Sequence, residues 1–236
     1  MSEQDSKQEA ATSRDTSRLT RWVVRLLYVQ IFVGAMSLVS GIFEFQLLQD
    51  FHSGLYVSRD QMMADAEAND VRQGFVATLS AIVFVVGGIA ILRWIYFANA
   101  NAARLSGRQM QYSPAGSVGW YFVPIVNLWK PFQAMKEIWQ ASAACGRDLL
   151  AKAPSYLNAW WFLWLFNGAL GNLAMRLSLE TKTMDDLLFA SVVNMASDVV
   201  AIPLSMVFMT VVKEIAQLQD TCRESVEPQP GPAANG

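Results

Sequence analysis

Asp198 is the residue of this chain best placed to do chemistry. It falls near the middle of an apolar stretch, Leu187 to Val212, one helical turn after Asn194 and on the same helix face. An ionised carboxylate at that depth in a bilayer costs several kcal/mol or more, and acids so placed often mark proton or ion pathways. With Asn167 and Asn172 on another apolar stretch, Asn194 and Asp198 form a candidate intramembrane polar cluster. Such a cluster has two readings. It could line a route for a proton or ion, or a protonated or hydrogen-bonded Asp198 could simply tie helices together.

The other reactive residues argue against enzyme chemistry. His52 is the single histidine, which rules out HExxH zinc sites, and no His-dependent triad is expected around it. Cys145 and Cys222 have no second cysteine or histidine at ligand spacing, and both fall on the side read below as cytoplasmic, so no disulfide is expected. Lys136 and Glu137 are neighbours on an expected helix and therefore diverge, which argues against a paired acid and base. Asp148 and Cys145 complete the groups an enzyme could use there. No catalytic residue, cofactor or metal is expected.

The elements that must position these residues belong to a membrane protein. The chain is 53% hydrophobic and only 16% charged, against roughly 25% charged in soluble domains. Its net charge of -2 gives no reason to expect nucleic acid. The expected fold is an all-α integral membrane protein in which four transmembrane helices, at about 22–48, 74–98, 160–177 and 187–212, pack as a bundle within a membrane domain of residues 21–220. The third of these is the shortest. Residues 1–20 read as a disordered cytoplasmic tail without the features of a signal peptide, and 221–236 as a disordered Pro/Gly-rich tail.

Small or polar residues at helical spacing mark the faces where the spans should meet: Gly34, Ser37 and Gly41 on the first, Ala77, Ala81 and Gly88 on the second, Asn167, Gly171 and Ala174 on the third, Ala190, Asn194, Asp198, Ala201 and Ser205 on the fourth. Glu44, Arg25 and Arg93 lie near span ends and read as interfacial anchors. The basic residues set the orientation. With both termini and the connection between the second and third spans in the cytoplasm, only Arg59, Arg72, Arg176 and Lys182 are left outside, so the positive-inside rule selects that topology.

Between the second and third spans, residues 99–152 form a platform. The run from Gly119 to Ser142 holds three tryptophans, two prolines and an asparagine in 24 residues, too broken to cross a bilayer. Val118 to Trp129 suits an interfacial or re-entrant segment. Pro131 fits the first turn of a helix whose Phe132, Met135, Ile138 and Trp139 share one face, an amphipathic pattern that predicts a helix lying apolar face down in the headgroups.

The stretch SPAGSVGWYFVPIVNLWKPFQAMKEIWQAS, preceded by NAARL, resembles the signature of a bacterial membrane family, domain of unknown function 4328, over roughly residues 20 to 220. The family pattern falls on Asn101, Trp120, Pro124, Asn127, Leu128, Pro131, Met135, Glu137, Ile138 and Trp139, and Lys130 and Lys136 lie within the same platform. The resemblance implies the architecture and no chemistry; Asp198 lies outside its motif.

The expected function is therefore a non-enzymatic scaffold or interaction module of the bacterial inner membrane. Its partners would be the bilayer and, at the cytoplasmic face, anionic lipid or a partner protein drawn by Arg104, Arg108, Lys130, Lys136 and Arg147. The alternative is a small transporter or channel subunit using the Asp/Asn cluster, which four spans would serve best as a homo-oligomer.

Overall fold

The computed structural model describes residues 3–56, 58–145, 151–180 and 183–226, with side chains described from Thr16 to Ser225 within them. Arg147, Asp148, Lys182 and the segment 227–236 lie outside the described residues. Among the described residues every regular element is helical. Helices α1 (Glu3–His52) and α2 (Arg59–Ser106) are followed by α3 (Pro114–Gly119), the 3-10 turns Trp120–Phe122 and Val126–Leu128, α4 (Lys130–Ala144), α5 (Ser155–Glu180) and α6 (Met184–Val226).

The breaks follow from local chemistry. Ser106 ends α2 and Gly107 takes φ +62°, a left-handed conformation open to glycine at no steric cost. Ser113 starts α3 by accepting from the Gly116 backbone N–H at 3.1 Å, with Pro114 in the first turn, where its missing N–H is not needed. Pro131 plays the same part in α4. Pro203 lies inside α6, which continues on both sides of it.

Among the described residues three stretches, Thr16–His52, Arg59–Ser106 and Met184–Ser225, are long and apolar enough to cross a membrane. Two expectations about the ends change. The polar start of the chain, read as a disordered tail, belongs to α1, which begins at Glu3; Thr16 is buried there and Thr20 accepts from the Trp94 indole at 3.1 Å. At the other end α6 runs past residue 220 to Val226.

The chain divides into two compact units. One comprises residues up to Val23, Ala90–Leu157 and the chain from Thr210; the other comprises Val24–Ile89 and Asn158–Met209. The core of the first is built on Trp94, Ile95, Met135, Ile138, Leu157, Val211 and Ile215, all nearly inaccessible. The second keeps a Trp160–Phe208 stack with centroids 5.3 Å apart and a Trp161–Trp164 stack at 4.7 Å. It also leaves Phe32, Phe75, Phe84 and Ile89 well exposed. Apolar surface on this scale is a liability in water and ordinary in lipid.

Candidate functional site

The platform lies entirely in the first unit, and its helix α4 is turned inward. Pro131, Ala134, Met135, Ile138, Trp139 and Ser142 are buried while Lys136 is exposed. Burying Met135 and Ile138 stabilises the unit by about 1.5–3 kcal/mol each. The face expected to rest in lipid headgroups is therefore used inside the protein: the periodicity is right, but its partner is other helices. Gln219 of α6 fixes that arrangement, its side-chain amide donating to the Ala98 carbonyl of α2 at 2.9 Å and to the Ser142 hydroxyl of α4 at 3.0 Å.

The same packing joins Cys145 to Cys222 in a disulfide, with Cα atoms 5.3 Å apart. Sequence reasoning expected none. A residue separation of 77 gives no hint that the end of α4 meets the end of α6, whereas their packing sets the two sulfurs side by side.

Glu137 organises the turn between α2 and α3. Its carboxylate accepts from the backbone N–H groups of Gln111 and, at 3.0 Å, Tyr112. The Tyr112 hydroxyl donates to the Gln133 amide oxygen at 2.7 Å and accepts from the Lys130 ammonium at 3.2 Å, which also lies 5.1 Å from the centre of the Tyr112 ring. Asn99 donates to the Tyr112 carbonyl at 3.1 Å, and Asn101 donates to Thr16 at 3.2 Å. Glu137, Lys130 and Asn101 are thus framework residues, and Glu137 is committed to backbone donors that a reacting acid would have to give up.

What this framework presents is an apolar loop. From Phe122 to Trp129 the backbone turns on itself, with Asn127 N–H donating to Val123 O at 3.0 Å and Leu128 N–H to Ile125 O at 3.0 Å. Ile125 takes φ 65°, uncommon for a branched side chain and affordable only where the surroundings dictate it. Phe122 and Ile125 are 70% and 71% exposed, and Pro124, Leu128 and Trp129 are exposed beside them, while Trp120 and Asn127 are half-buried.

The intramembrane cluster expected from sequence does not converge. Asn194 and Asn172 are exposed, and the Asn172 amide turns back to the Gly168 carbonyl at 2.8 Å. Asn167 accepts from Ser197 at 3.2 Å, and Asp198 hydrogen-bonds Ser37 instead of Asn194. A different polar group forms in the same unit. Ser40 and Glu44 of α1 meet Asn69, Arg72 and Gln73 of α2 and Ser191 of α6, with Arg72 donating to Ser40 at 3.2 Å, Ser40 donating to Gln73 at 3.2 Å and Ser191 donating to Glu44 at 3.5 Å. A signal for it existed: Ser40 and Glu44 are spaced i, i+4 and Asn69, Arg72 and Gln73 i, i+3, i+4, one face on each of two helices joined by a short hairpin.

Residues 58–217 match the family described as Domain of unknown function (DUF4328), well over half of the chain, and the chain belongs to that family. No curated protein matches it. No solved structure matches it either.

Proposed function

We propose that this member of a family without an assigned activity is a non-enzymatic scaffold of the bacterial cytoplasmic membrane, whose platform docks on anionic lipid headgroups of the inner leaflet and offers partner proteins a fixed surface there. The observation that carries this reading is the exposed run Phe122, Ile125, Leu128 and Trp129, beside Lys130 and the exposed Lys136. Leaving Phe122 and Ile125 in water forgoes about 1.5–3 kcal/mol each, and cations near an anionic surface contribute about 1 kcal/mol each. An apolar wedge flanked by lysines suits the headgroup boundary.

The reading includes four spans. Besides the three long apolar helices, α5 has 26 residues, and a helix of that length reaches about 39 Å at 1.5 Å per residue, more than the roughly 30 Å hydrocarbon core. It also places both termini and the platform in the cytoplasm, on the asymmetry that leaves Arg59, Arg72, Arg176 and Lys182 as the only basic residues on the other side. A transport route through Asn167, Asn194 and Asp198 has less support, because Asn194 is exposed and Asp198 pairs with Ser37.

An environment-sensitive dye tests the docking. Placed at Ile125→Cys in the full chain in proteoliposomes, it should report an apolar surrounding when phosphatidylglycerol is present, and Lys136→Glu should weaken that signal. Water-like emission with and without the anionic lipid would contradict the reading.

A further inference from the structure

Cys145 and Cys222 meet because two helices run in step. Ser142 of α4 accepts from Gln219 of α6, and Cys145 meets Cys222; both pairs are 77 residues apart in the chain, so α4 and α6 run the same way here and in register. One turn further back Ile138 and Ile215 keep the same offset, and both are fully buried. Gln219 also holds the Ala98 carbonyl of α2. Hydrogen bonds and buried side chains thus set the two cysteines at a Cα separation of 5.3 Å, inside the roughly 4.4–6.8 Å that a disulfide requires. Forming or breaking the bond needs no rearrangement of the helices.

The two sulfurs differ in access. Cys222 is 1% exposed, whereas Cys145 is partly exposed and ends α4, its backbone at φ 44° in the left-handed conformation in which helices commonly close. The exposed Ser225 hydroxyl lies 3.4 Å from the Cys145 sulfur. A partly accessible thiol backed by a buried one is the arrangement of an attacking and a resolving cysteine. Where thiols are kept reduced, a pair that does bond is usually transient and redox-sensing.

We propose that Cys145 and Cys222 are a reversible thiol–disulfide site, a dithiol in growing cells that closes by exchange with a small disulfide such as oxidised glutathione and then ties the end of platform helix α4 to α6. The inference rests on the cytoplasmic placement of the platform proposed above. The Cys145 thiolate attacks one sulfur of the small disulfide, whose S–S bond breaks, and one small thiolate leaves. The Cys222 thiolate then attacks the Cys145 sulfur of the mixed disulfide and expels the second. Two protein thiols are oxidised, the small disulfide is reduced to two thiols, and the two cysteine protons end on them. Excess reduced glutathione drives the exchange back.

The test equilibrates the full chain, in a maltoside detergent, with mixtures of reduced and oxidised glutathione, then quenches in acid, alkylates and reads the intact mass. Both thiols should be lost together as the mixture becomes oxidising and return together in excess reduced glutathione. Cys222→Ser should stop with one glutathione on Cys145, and Cys145→Ser should react at the buried Cys222 about tenfold more slowly or worse. In growing cells, acid quenching and alkylation should find both thiols free, and should find them bonded after the thiol oxidant diamide is added. A pair already bonded in growing cells, or thiols that oxidised glutathione leaves free, overturns the proposal. Labelling of Met110→Cys in a chain without the native cysteines separates the two readings. If that position is reached only after the cells are opened, a bonded pair sinks the switch alone; if it is reached from outside, the cytoplasmic placement falls with it.

Discussion

Glu137 shows how a charged residue can be structural through backbone donors alone. Two backbone N–H groups point at its carboxylate from the turn that follows α2, and that turn in turn carries Tyr112 toward Lys130 and Gln133. Hydrogen bonds to a charged acceptor contribute about 1.5–3 kcal/mol each. Since one of these bonds is exposed and the other only part-buried, Glu137→Ala should lower stability by less than their full sum, about 2–4 kcal/mol, seen as a large drop in thermal unfolding temperature in detergent, whereas Lys136→Ala, exposed on the same helix, should leave it nearly unchanged. Equal effects of the two would contradict the assignment. The residue scale is also where sequence reading reached least far. Adjacent Lys136 and Glu137 could be seen to diverge, but the partners of Glu137 lie 25 and 26 residues away and no spacing rule reaches them. The meeting of Cys145 and Cys222 escaped for the same reason, and on the proposed cytoplasmic platform the pair would be kept as two adjacent thiols instead of the bond.

At the scale of elements the legible part was hydrophobic periodicity. It located α1, α2, α4 and α6 and the Gly119 to Trp129 interruption, because an apolar run and a proline act locally. It could not say what an apolar face packs against. For α4 the neighbour is protein, so a pattern that also describes a headgroup helix turned out to mark an internal one. Small-residue stripes carry the same ambiguity. Of the Gly34, Ser37 and Gly41 stripe on α1, a Cβ at Gly41 would stand 2.9 Å from Met195 Cγ of α6, while one at Gly34 would meet nothing within 4 Å. Gly41→Val should thus be overpacked and cost about 1–3 kcal/mol, and Gly34→Val should be tolerated. Thermal unfolding of both variants in detergent checks this, and a stable Gly41→Val would mean that α1 and α6 do not approach so closely.

For the whole molecule, two properties of the sequence point the same way. On the proposed four-span topology, basic residues gather on one side and all eight tryptophans fall at or near that side, where indoles favour the membrane boundary. The proposed docking gives the exposed Phe122 and Ile125, next to lysines, an apolar surrounding on that side. Composition was enough to suggest a membrane protein, and three helices long and apolar enough to cross a membrane, with many large apolar side chains left exposed, are compatible with one. The partner is a different matter, because an exposed apolar loop records the polarity of what covers it and not its identity.

The central claim, a multi-pass protein with its platform in the cytoplasm, is tested most directly by cysteine labelling in intact cells. In a chain with Cys145 and Cys222 replaced by Ser, single cysteines at Asp60 and Met110 should differ: a membrane-impermeant maleimide added outside should label Asp60→Cys, and label Met110→Cys only after the cells are opened. Labelling of both from the same side would contradict the account.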